Sequence, residues 1–469
     1  MWKSMRLPIA AALLAASLSS RFLSAQVAPQ SRDPINRRID SLVNAALQRP
    51  VAAMSVAVIK GRDTLVMKGY GMADVENDVA ATPLTVYRIG SITKQFTSAA
   101  VMQLVESGKI GLDDDITKYL PNAPTHGRRV LVRHLLNHTS GIPSYTDVGP
   151  RFGRVARLDL SHDSLIAIIA RDSLMFEPGT TFYYNNTGYF LLGMLLEKVT
   201  GQPYGTYLQE KLFGPLGLAG TTYCGTRPII KHRAQGYDAE RGQLVNSEFL
   251  SMDLPYAAGS LCSTVGDLAR WTAALHSGRV VSSASYGQMT TPVKLSSGRA
   301  MSYGFGLFAD TLGSHRVISH GGGINGFISQ LAYYPDDTLT VAVLANTSPA
   351  PSAQVATNIA RIVLGMSLIA APPPPKDLPT TAELRAKLVG TYSLKNPDGT
   401  TRNVQVVDTA GALQLRTDGQ PPARLLFEGG TSFTISAMPG ARINFDVKGA
   451  QATGFQLDRG GRPLEAVRK

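Results

Sequence analysis

Apolar and polar residues alternate in two segments that lie far apart in the chain, which predicts strands at both ends of one domain. The segment MSVAVIKGRDTLVMKGYG predicts a hairpin that turns at Gly61 and Arg62, and residues 33–48 before it have helical spacing. Residues 316–347 predict a strand, a glycine-rich stretch and a hairpin that turns at 335–337. We therefore expect an α/β domain of the α+β type over 33–368, with an antiparallel sheet flanked by helices and a helical lobe from the middle of the chain.

A different pattern follows Leu368. The proline-rich segment APPPPKDLP predicts a stiff linker at 369–380. Residues 381–469 then contain short alternating runs separated by turn signals such as Asp398-Gly399 and Lys448-Gly449, which predicts a small all-β domain of eight strands closed as a lipocalin-like barrel. Its role stays open between binding substrate or envelope material and covering the first domain.

The first 25 residues predict a secretory signal peptide. They have a basic start with Lys3 and Arg6, an apolar run at 7–18 and small residues after it. We therefore expect export to the periplasm or the extracellular space. No later segment has the uninterrupted apolar length that a membrane helix needs, so we expect no transmembrane segment in the mature chain.

Composition limits the classes of binding partner and indicates the redox compartment of the protein. The formal net charge of +12 suits a place near anionic envelope polymers or lipids, but the basic residues are scattered and do not suggest a nucleic-acid partner. The only two cysteines, Cys224 and Cys262, predict a disulfide in an oxidising compartment, with two buried free thiols as the alternative.

Ser91 and Lys94 form the first candidate catalytic motif. Ser91 follows Gly90 and precedes apolar residues at helical spacing up to Glu106, so we expect it to begin a helix. Lys94 would lie one turn further on the same face, where its amine could take the serine proton if burial keeps it neutral. The alternative is an ordinary amphipathic helix start.

Tyr184, Asn185 and Asn186 form the second motif, just before a strongly apolar helical segment. Asn186 is a candidate helix N-cap, with Tyr184 as a half-buried core aromatic. Alternatively, the phenol carries a proton between nucleophile and leaving group while the Asn186 amide positions the substrate. Tyr183 has the same spacing to Asn185, so the register stays open, and we prefer Tyr184.

The third motif, His320-Gly-Gly322, lies in a segment at 317–323 that predicts an edge strand without bulky side chains. Such an edge allows a substrate backbone to pair with it. The N–H groups of Gly323 and Ser91 could then form an oxyanion hole. The alternative is a glycine-rich turn with a solvent-facing His320.

Together the three motifs resemble one family. Gly-Ser-x-x-Lys, Phe-x-Tyr-x-Asn-x-Gly-Tyr and His-x-Gly occur in the order typical of serine β-lactamases and penicillin-binding-protein-like hydrolases. The likeness is greatest to the branch related to class C β-lactamases, D-amino-acid peptidases and esterases, and it includes the stretches HLLNHTSGIPSY and AAGSLCSTVGDLARW. It covers about residues 35 to 365 and implies a β-lactamase/transpeptidase-like fold.

The resemblance also implies roles for individual residues: Ser91 as the acylated nucleophile, Lys94 as its activating partner, Tyr184 as the acid/base group shared with Lys94, and Asn186 as a contact of the substrate amide. His320 stands where many relatives carry a lysine, and Gly321 where they carry a hydroxyl residue. A cation and a hydroxyl hold the carboxylate of a β-lactam or of a peptide C-terminus. A neutral His320 donates one hydrogen bond at most, which favours esters and D-amino-acid peptides over β-lactams.

His134 and His138 have the i, i+4 spacing of metal ligands on one helix face. No third ligand is suggested nearby, so we predict backbone-bonding roles, no metal and no cofactor. Two functional hypotheses remain: an exported serine hydrolase with a small-molecule or peptide substrate, which could derive from peptidoglycan, and an inactive binding or scaffold protein of the cell envelope on the same fold. The complete set of motifs favours the hydrolase.

Overall fold

A computed structural model describes residues 33–147, 150–240, 242–369, 377–395, 401–409, 411–417, 423–435, 441–458 and 463–469. The signal peptide predicted at 1–25 lies outside the described residues, as does much of the linker predicted at 369–380.

The α helices are α1 (Asp33–Leu47), α2 (Thr93–Glu106), α3 (Val132–Leu136), α4 (Pro150–Val155), α5 (His162–Ile169), α6 (Asn186–Thr200), α7 (Tyr204–Leu208), α8 (Gly214–Leu216), α9 (Tyr256–Gly259), α10 (Val265–His276), α11 (Ser283–Thr290), α12 (Ser352–Val363) and α13 (Ala382–Leu388). Short 3₁₀ helices occur at Gly90–Ile92, Ile116–Lys118, Tyr145–Asp147 and Pro335–Asp337, and a π helix at Gln209–Phe213.

The strands are β1 (Ala53–Lys60), β2 (Asp63–Asp74), β3 (Val79–Ala80), β4 (Tyr87–Arg88), β5 (Thr222–Tyr223), β6 (Tyr237–Glu240), β7 (Gln243–Asn246), β8 (Leu261–Ser263), β9 (Val293–Lys294), β10 (Ala300–Met301), β11 (Phe308–Leu312), β12 (His315–Ile324), β13 (Phe327–Tyr334), β14 (Leu339–Ala345), β15 (Thr347–Ser348), β16 (Gly390–Lys395), β17 (Thr401–Thr409), β18 (Ala412–Thr417), β19 (Ala423–Gly429), β20 (Ser432–Ile435), β21 (Arg442–Lys448), β22 (Gln451–Asp458) and β23 (Leu464–Arg468).

The main sheet has seven strands in the order β11-β12-β13-β14-β1-β2-β3. Its centre joins β1 to β14 in antiparallel register, with Met54 opposite Ala345, which confirms the predicted sheet built from both ends of the domain. Side chains of a strand point alternately to the two faces of its sheet. Because helices cover both faces here, the side chains of β1 enter two different cores. Val56 and Val58 pack with α1 and α12, whereas Ala57 belongs to the core shared with the helical lobe.

Helix α2 runs through the centre of the helical lobe. It is buried nearly all round, as expected of a helix enclosed by other elements rather than lying on a surface. The ring of Phe96 stacks on Trp271 with centroids 3.9 Å apart, and the Trp271 indole donates a hydrogen bond of 3.0 Å to Gln95. These contacts fix the helix that follows Ser91.

Strands β16 to β23 form a closed barrel with its own apolar core, which confirms the predicted eight-stranded domain. The last strand closes it by pairing with both β22 and β16. The prediction of an all-β domain missed helix α13, which begins after Thr381, whose side chain accepts a hydrogen bond from the Leu384 N–H. Leu388 at its end is fully buried in the barrel core, so the helix belongs to this domain.

Cys224 and Cys262 are joined by a disulfide next to the pairing of β5 with β8. Across the ranges given above, no helix is long and apolar enough to cross a bilayer.

Candidate active site

Ser91 lies in the 3₁₀ turn Gly90–Ile92, which leads directly into α2, so the helical run that the sequence predicted from Ser91 begins in this tighter form. Gly90 has φ of 51°, a conformation that favours glycine. A Cβ at this position would also lie 3.0 Å from the backbone nitrogen of Gly323. Glycine therefore allows the turn to bend and to lie against β12.

Lys94 is fully buried, and its amine contacts three oxygens. The Nζ atom lies 3.1 Å from Ser91 Oγ, 2.8 Å from Asn186 Oδ1 and 2.9 Å from the carbonyl oxygen of Ala258. A neutral amine has two N–H donors and one lone pair. It can therefore donate to Asn186 and Ala258 while its lone pair accepts the hydroxyl proton of Ser91.

The surroundings of Lys94 favour the neutral form of this amine. Burial lowers its pKa well below the usual value, because the charged form loses its hydration. The rings of Tyr184 and Tyr189 lie 4.8 and 5.4 Å from Nζ and favour the charged form, but no carboxylate is among the hydrogen-bond partners that the described residues give to this amine. Desolvation is the larger effect, and the lysine is suited to act as a base.

Tyr184 and Tyr183 have different surroundings, and the structure places Tyr184 beside Ser91. The Tyr184 hydroxyl is buried, has no hydrogen-bond partner within the described part of the chain, and lies close enough to Ser91 for that hydroxyl to influence its pKa. Burial raises the pKa of Tyr184 above its usual value, so the group stays a protonated phenol. Tyr183 instead donates a hydrogen bond of 2.7 Å to Asp147 at the surface.

The helix cap and the contact with the active site, which the sequence analysis considered for Asn186 alone, belong to two different asparagines. Asn185, not Asn186, is the N-cap of α6, and its Oδ1 accepts a hydrogen bond of 2.8 Å from the Gly188 N–H. Asn186 is the first residue of the helix, so its side chain is free to turn towards Lys94. Its Nδ2 donates to Thr146 Oγ1 over 3.2 Å, which fixes the orientation of the amide.

The predicted edge strand is only half open. Strand β11 pairs with β12 from His315 to Ser319, so the free edge begins at His320. A Cβ on Gly322 would overlap the carbonyl oxygen of Ile89, which shows that glycine here allows β12 to approach the nucleophile turn. Gly323 is exposed on the cleft, and the predicted oxyanion role of its N–H stays a prediction.

His320 is buried beneath the cleft, so the solvent-facing alternative is wrong, and its position does not favour the expected substrate contact. Its Nδ1 donates to the carbonyl oxygen of Gly321 over 2.5 Å, and its Nε2 accepts from the Tyr303 hydroxyl over 3.1 Å. Burial, with a smaller contribution from Lys94, lowers its pKa to about 3. The imidazole is therefore neutral and has no remaining N–H for a ligand.

The cleft beside Ser91 opens to solvent, and its volume including that open space is about 530 Å³. Its described lining consists of Gly90, Ser91, Tyr145, Thr146, Phe152, Asn186, Leu250, Pro255, Ala258, Gly259, Gly323, Ile324 and Asn325. None of these lining residues has a charged side chain. Sequence reasoning missed the Ala258 carbonyl, which lies in one of the stretches that carried the family resemblance, and Thr146, which directly follows the other.

His134 and His138 do not share a helix face, because α3 ends at Leu136. Each imidazole Nδ1 accepts a backbone N–H: His134 from Leu131 over 3.2 Å and His138 from Asn185 over 3.1 Å. Within the described residues, no three or more His, Cys, Asp or Glu side chains are grouped so that they could hold a metal ion.

The fold and the cleft between its sheet and helical lobe define a protein of the β-lactamase class. The chain belongs to the Beta-lactamase family, whose model matches residues 35–364. Members of this family are serine hydrolases. The family predicted from the three motifs is thus confirmed.

Individual relatives agree with this assignment. Penicillin-binding protein 4* of Bacillus subtilis strain 168 is 29% identical over 434 residues, which are 88% of this chain and 94% of that protein. A D-stereospecific amidohydrolase from Streptomyces sp. is 31% identical, with a TM-score of 0.62 over 71% of this chain and 99% of its own. An octameric penicillin-binding protein homologue from Pyrococcus abyssi is 28% identical, with a TM-score of 0.62 over 92% of this chain and 99% of its own.

Proposed function

We propose that this protein is an exported serine hydrolase that forms an acyl-enzyme on Ser91 and acts on uncharged esters or D-amino-acid amides and peptides. The observation that carries the proposal is the arrangement at Lys94. The amine is fully buried, and a neutral amine has two N–H groups and one lone pair. The two N–H groups have two oxygen acceptors and the lone pair faces the Ser91 hydroxyl, which suits the neutral form that a general base requires.

The reaction follows from this arrangement. Ser91 Oγ attacks the acyl carbon, and its proton passes to Lys94 Nζ. The tetrahedral intermediate then loses its alcohol or amine, which takes the phenolic proton of Tyr184, and the Lys94 ammonium returns its proton to the phenolate. A water molecule attacks the ester on Ser91, the same pair of groups transfers its proton to the serine oxygen, and the acid is released.

The lining of the cleft supports the choice of substrate. A carboxylate held at the active site requires a cation, and a free ammonium group requires an anion. The described cleft residues offer neither, and His320 is neutral with both ring nitrogens engaged. Apolar side chains such as Phe152 and Leu250 suit an uncharged acyl group. The likeness to a D-stereospecific amidohydrolase supports D-amino-acid amides whose amino group is acylated among these substrates.

Export is supported by the sequence and by chemistry. The signal-like start of the chain predicts a place outside the cytoplasm, and the bond between Cys224 and Cys262 suits an oxidising compartment. The positive net charge suits anionic envelope polymers. We therefore propose the periplasm or the extracellular space as its location, with envelope-derived D-amino-acid peptides within reach.

Intact-mass spectrometry tests the proposal. The mature protein and Ser91→Ala are each treated with a fluorophosphonate, p-nitrophenyl acetate, N-acetyl-D-phenylalanine amide and a penicillin. We expect one fluorophosphonate adduct that is absent from the variant, turnover of the ester or the amide, and slow or no acylation by the penicillin. Folded protein without any adduct would instead support the binding or scaffold alternative, and rapid penicillin turnover would contradict the proposed substrate class.

A further inference from the structure

His138 makes three contacts with Tyr184, the proposed proton carrier, and with the residues on either side of it. Its carbonyl oxygen accepts the N–H of Tyr183 over 2.9 Å, and its imidazole Nδ1 accepts the N–H of Asn185 over 3.1 Å. Its ring packs against that of Tyr184 with centroids 4.3 Å apart. One residue therefore holds the backbone on both sides of Tyr184 and also contacts its side chain.

The imidazole is itself held in place. Only 1% of the surface of His138 is exposed, and its ring also lies 4.7 Å from the Tyr303 ring and 5.2 Å from the Tyr189 ring. Burial, with smaller contributions from Lys94 and His320, lowers the pKa of His138 well below its usual value. The ring is therefore neutral, and its Nδ1 lone pair is available to the backbone.

The backbone of His138 adopts a left-handed conformation with φ of 61°. This conformation is uncommon for residues other than glycine and is unfavourable unless surrounding contacts hold it in place. The bend directs the carbonyl and the imidazole of the same residue towards the segment that contains Tyr184. The structure thus accepts an unfavourable conformation at a residue that the proposed reaction does not use.

The Tyr184 hydroxyl makes no hydrogen bond of normal geometry among the residues described, and the hydroxyl beside it is that of the reacting Ser91. Its position must therefore come from the backbone and from ring packing. We propose that His138 is the positioning residue of Tyr184: it fixes the phenol beside Ser91 through two backbone hydrogen bonds and one ring contact. This inference rests on the proposed function, because it assigns His138 to the proton transfer that Tyr184 performs there.

Two substitutions separate the contacts. His138→Ala removes the imidazole acceptor and the ring, and we expect kcat for p-nitrophenyl acetate to fall about 30-fold while KM stays within about twofold. His138→Asn places an oxygen where Nδ1 stands and tolerates a left-handed backbone, so it retains the bond to Asn185 and loses the ring contact. We expect it to lose about threefold to tenfold in kcat and to keep the thermal unfolding temperature near that of the wild type.

A double-mutant cycle with Tyr184→Phe gives the decisive readout. If His138 acts through the phenol, Tyr184→Phe combined with His138→Ala should be as slow as Tyr184→Phe alone, within about threefold. Independent, multiplicative losses would overturn the proposal, as would full activity of folded His138→Ala. If His138→Ala does not fold, His138→Asn replaces it in the same cycle.

Labelling of the wild-type protein separates failure of the proposed function from failure of the positioning role. If the fluorophosphonate does not label Ser91 in the wild-type protein, the proposed reaction itself is refuted. Normal labelling with independent losses at His138 and Tyr184 would remove only the positioning role.

Discussion

Replacing Asn186 by aspartate would place a carboxylate against the amine that is proposed to deprotonate Ser91. Asn186 Oδ1 lies 2.8 Å from Lys94 Nζ, and aspartate has nearly the same shape. A negative charge at that distance favours the ammonium form and so raises the pKa of Lys94. The variant keeps the position of its oxygen and changes the charge of the site.

The size of the effect follows from the distance. Coulomb's law gives an attraction of about 6 kcal/mol at an effective dielectric constant of about 20, and about 3 kcal/mol at about 40, which allows for screening by the open cleft. At about 1.4 kcal/mol for each pKa unit, the pKa of Lys94 rises by about two to four units. The new carboxyl titrates together with the amine, so the shift is read from the pair as a whole.

The pH dependence of kcat/KM for p-nitrophenyl acetate measures this shift. A base with a raised pKa is protonated over a wider range, so the acid limb of the Asn186→Asp profile should move to higher pH by about two units or more. At any pH on the acid limb, activity should fall about 100-fold for a rise of two units, and it should recover as pH increases.

Asn186→Leu is the matched control, because it removes the same amide without adding charge. Both variants lose any contact of Asn186 with the substrate, so only the aspartate variant should show the shift to higher pH. The leucine variant also loses an acceptor that favours the ammonium, so its acid limb should stay in place or move to lower pH. An unshifted acid limb in Asn186→Asp would refute the assignment of Lys94 as the neutral base.

Two further pairs of variants test the neighbouring motifs. Tyr184→Phe should lower kcat about 100-fold because it removes the proton carrier, whereas Tyr183→Phe should stay within about threefold because that phenol bonds at the surface; steady-state ester hydrolysis compares them, and a larger loss at Tyr183 would reverse the register. Gly322→Ala should lower the free energy of unfolding by about 1 to 3 kcal/mol, because its Cβ overlaps the carbonyl oxygen of Ile89. Gly323→Ala should change it by less than about 1 kcal/mol, because its Cβ meets only a side-chain carbon of Ile328 at 3.5 Å. Urea unfolding measures both, and equal losses would contradict the steric argument.

Periodicity predicted much of the fold. Alternation predicted the hairpins β1–β2 and β13–β14 with their turns, and the spacing of the short runs predicted the barrel. These patterns are local, since each strand of a half-buried sheet shows its inner face in its own sequence. Helix α13 was missed because its signal is a single capping residue, Thr381, before a short segment.

The site was predicted less completely, because its finer geometry depends on contacts between distant segments. Either asparagine of the second motif could cap a helix, and the choice of Asn185 depends on its backbone bond to His138, far away in the sequence. The Ala258 carbonyl oxygen, which accepts a hydrogen bond from the Lys94 amine, has no sequence signature, because every residue has a carbonyl group. His320 was given a substrate contact because its sequence does not show that Tyr303 and Gly321 engage both ring nitrogens.

The pairing of β1 with β14 at the centre of the main sheet also determines the order of events during synthesis. Almost the entire catalytic domain separates Met54 from Ala345, so β1 has no β14 neighbour until residue 345 has left the ribosome. Pairing over such a separation costs loop-closure entropy first and slows folding. The turn that contains Ser91 depends on the same late segment, because Ser329 donates a hydrogen bond to Ile89. The turn that contains Ser91 therefore precedes its supporting surface along the chain, and we expect it to take its final form only after the later strands have joined the sheet.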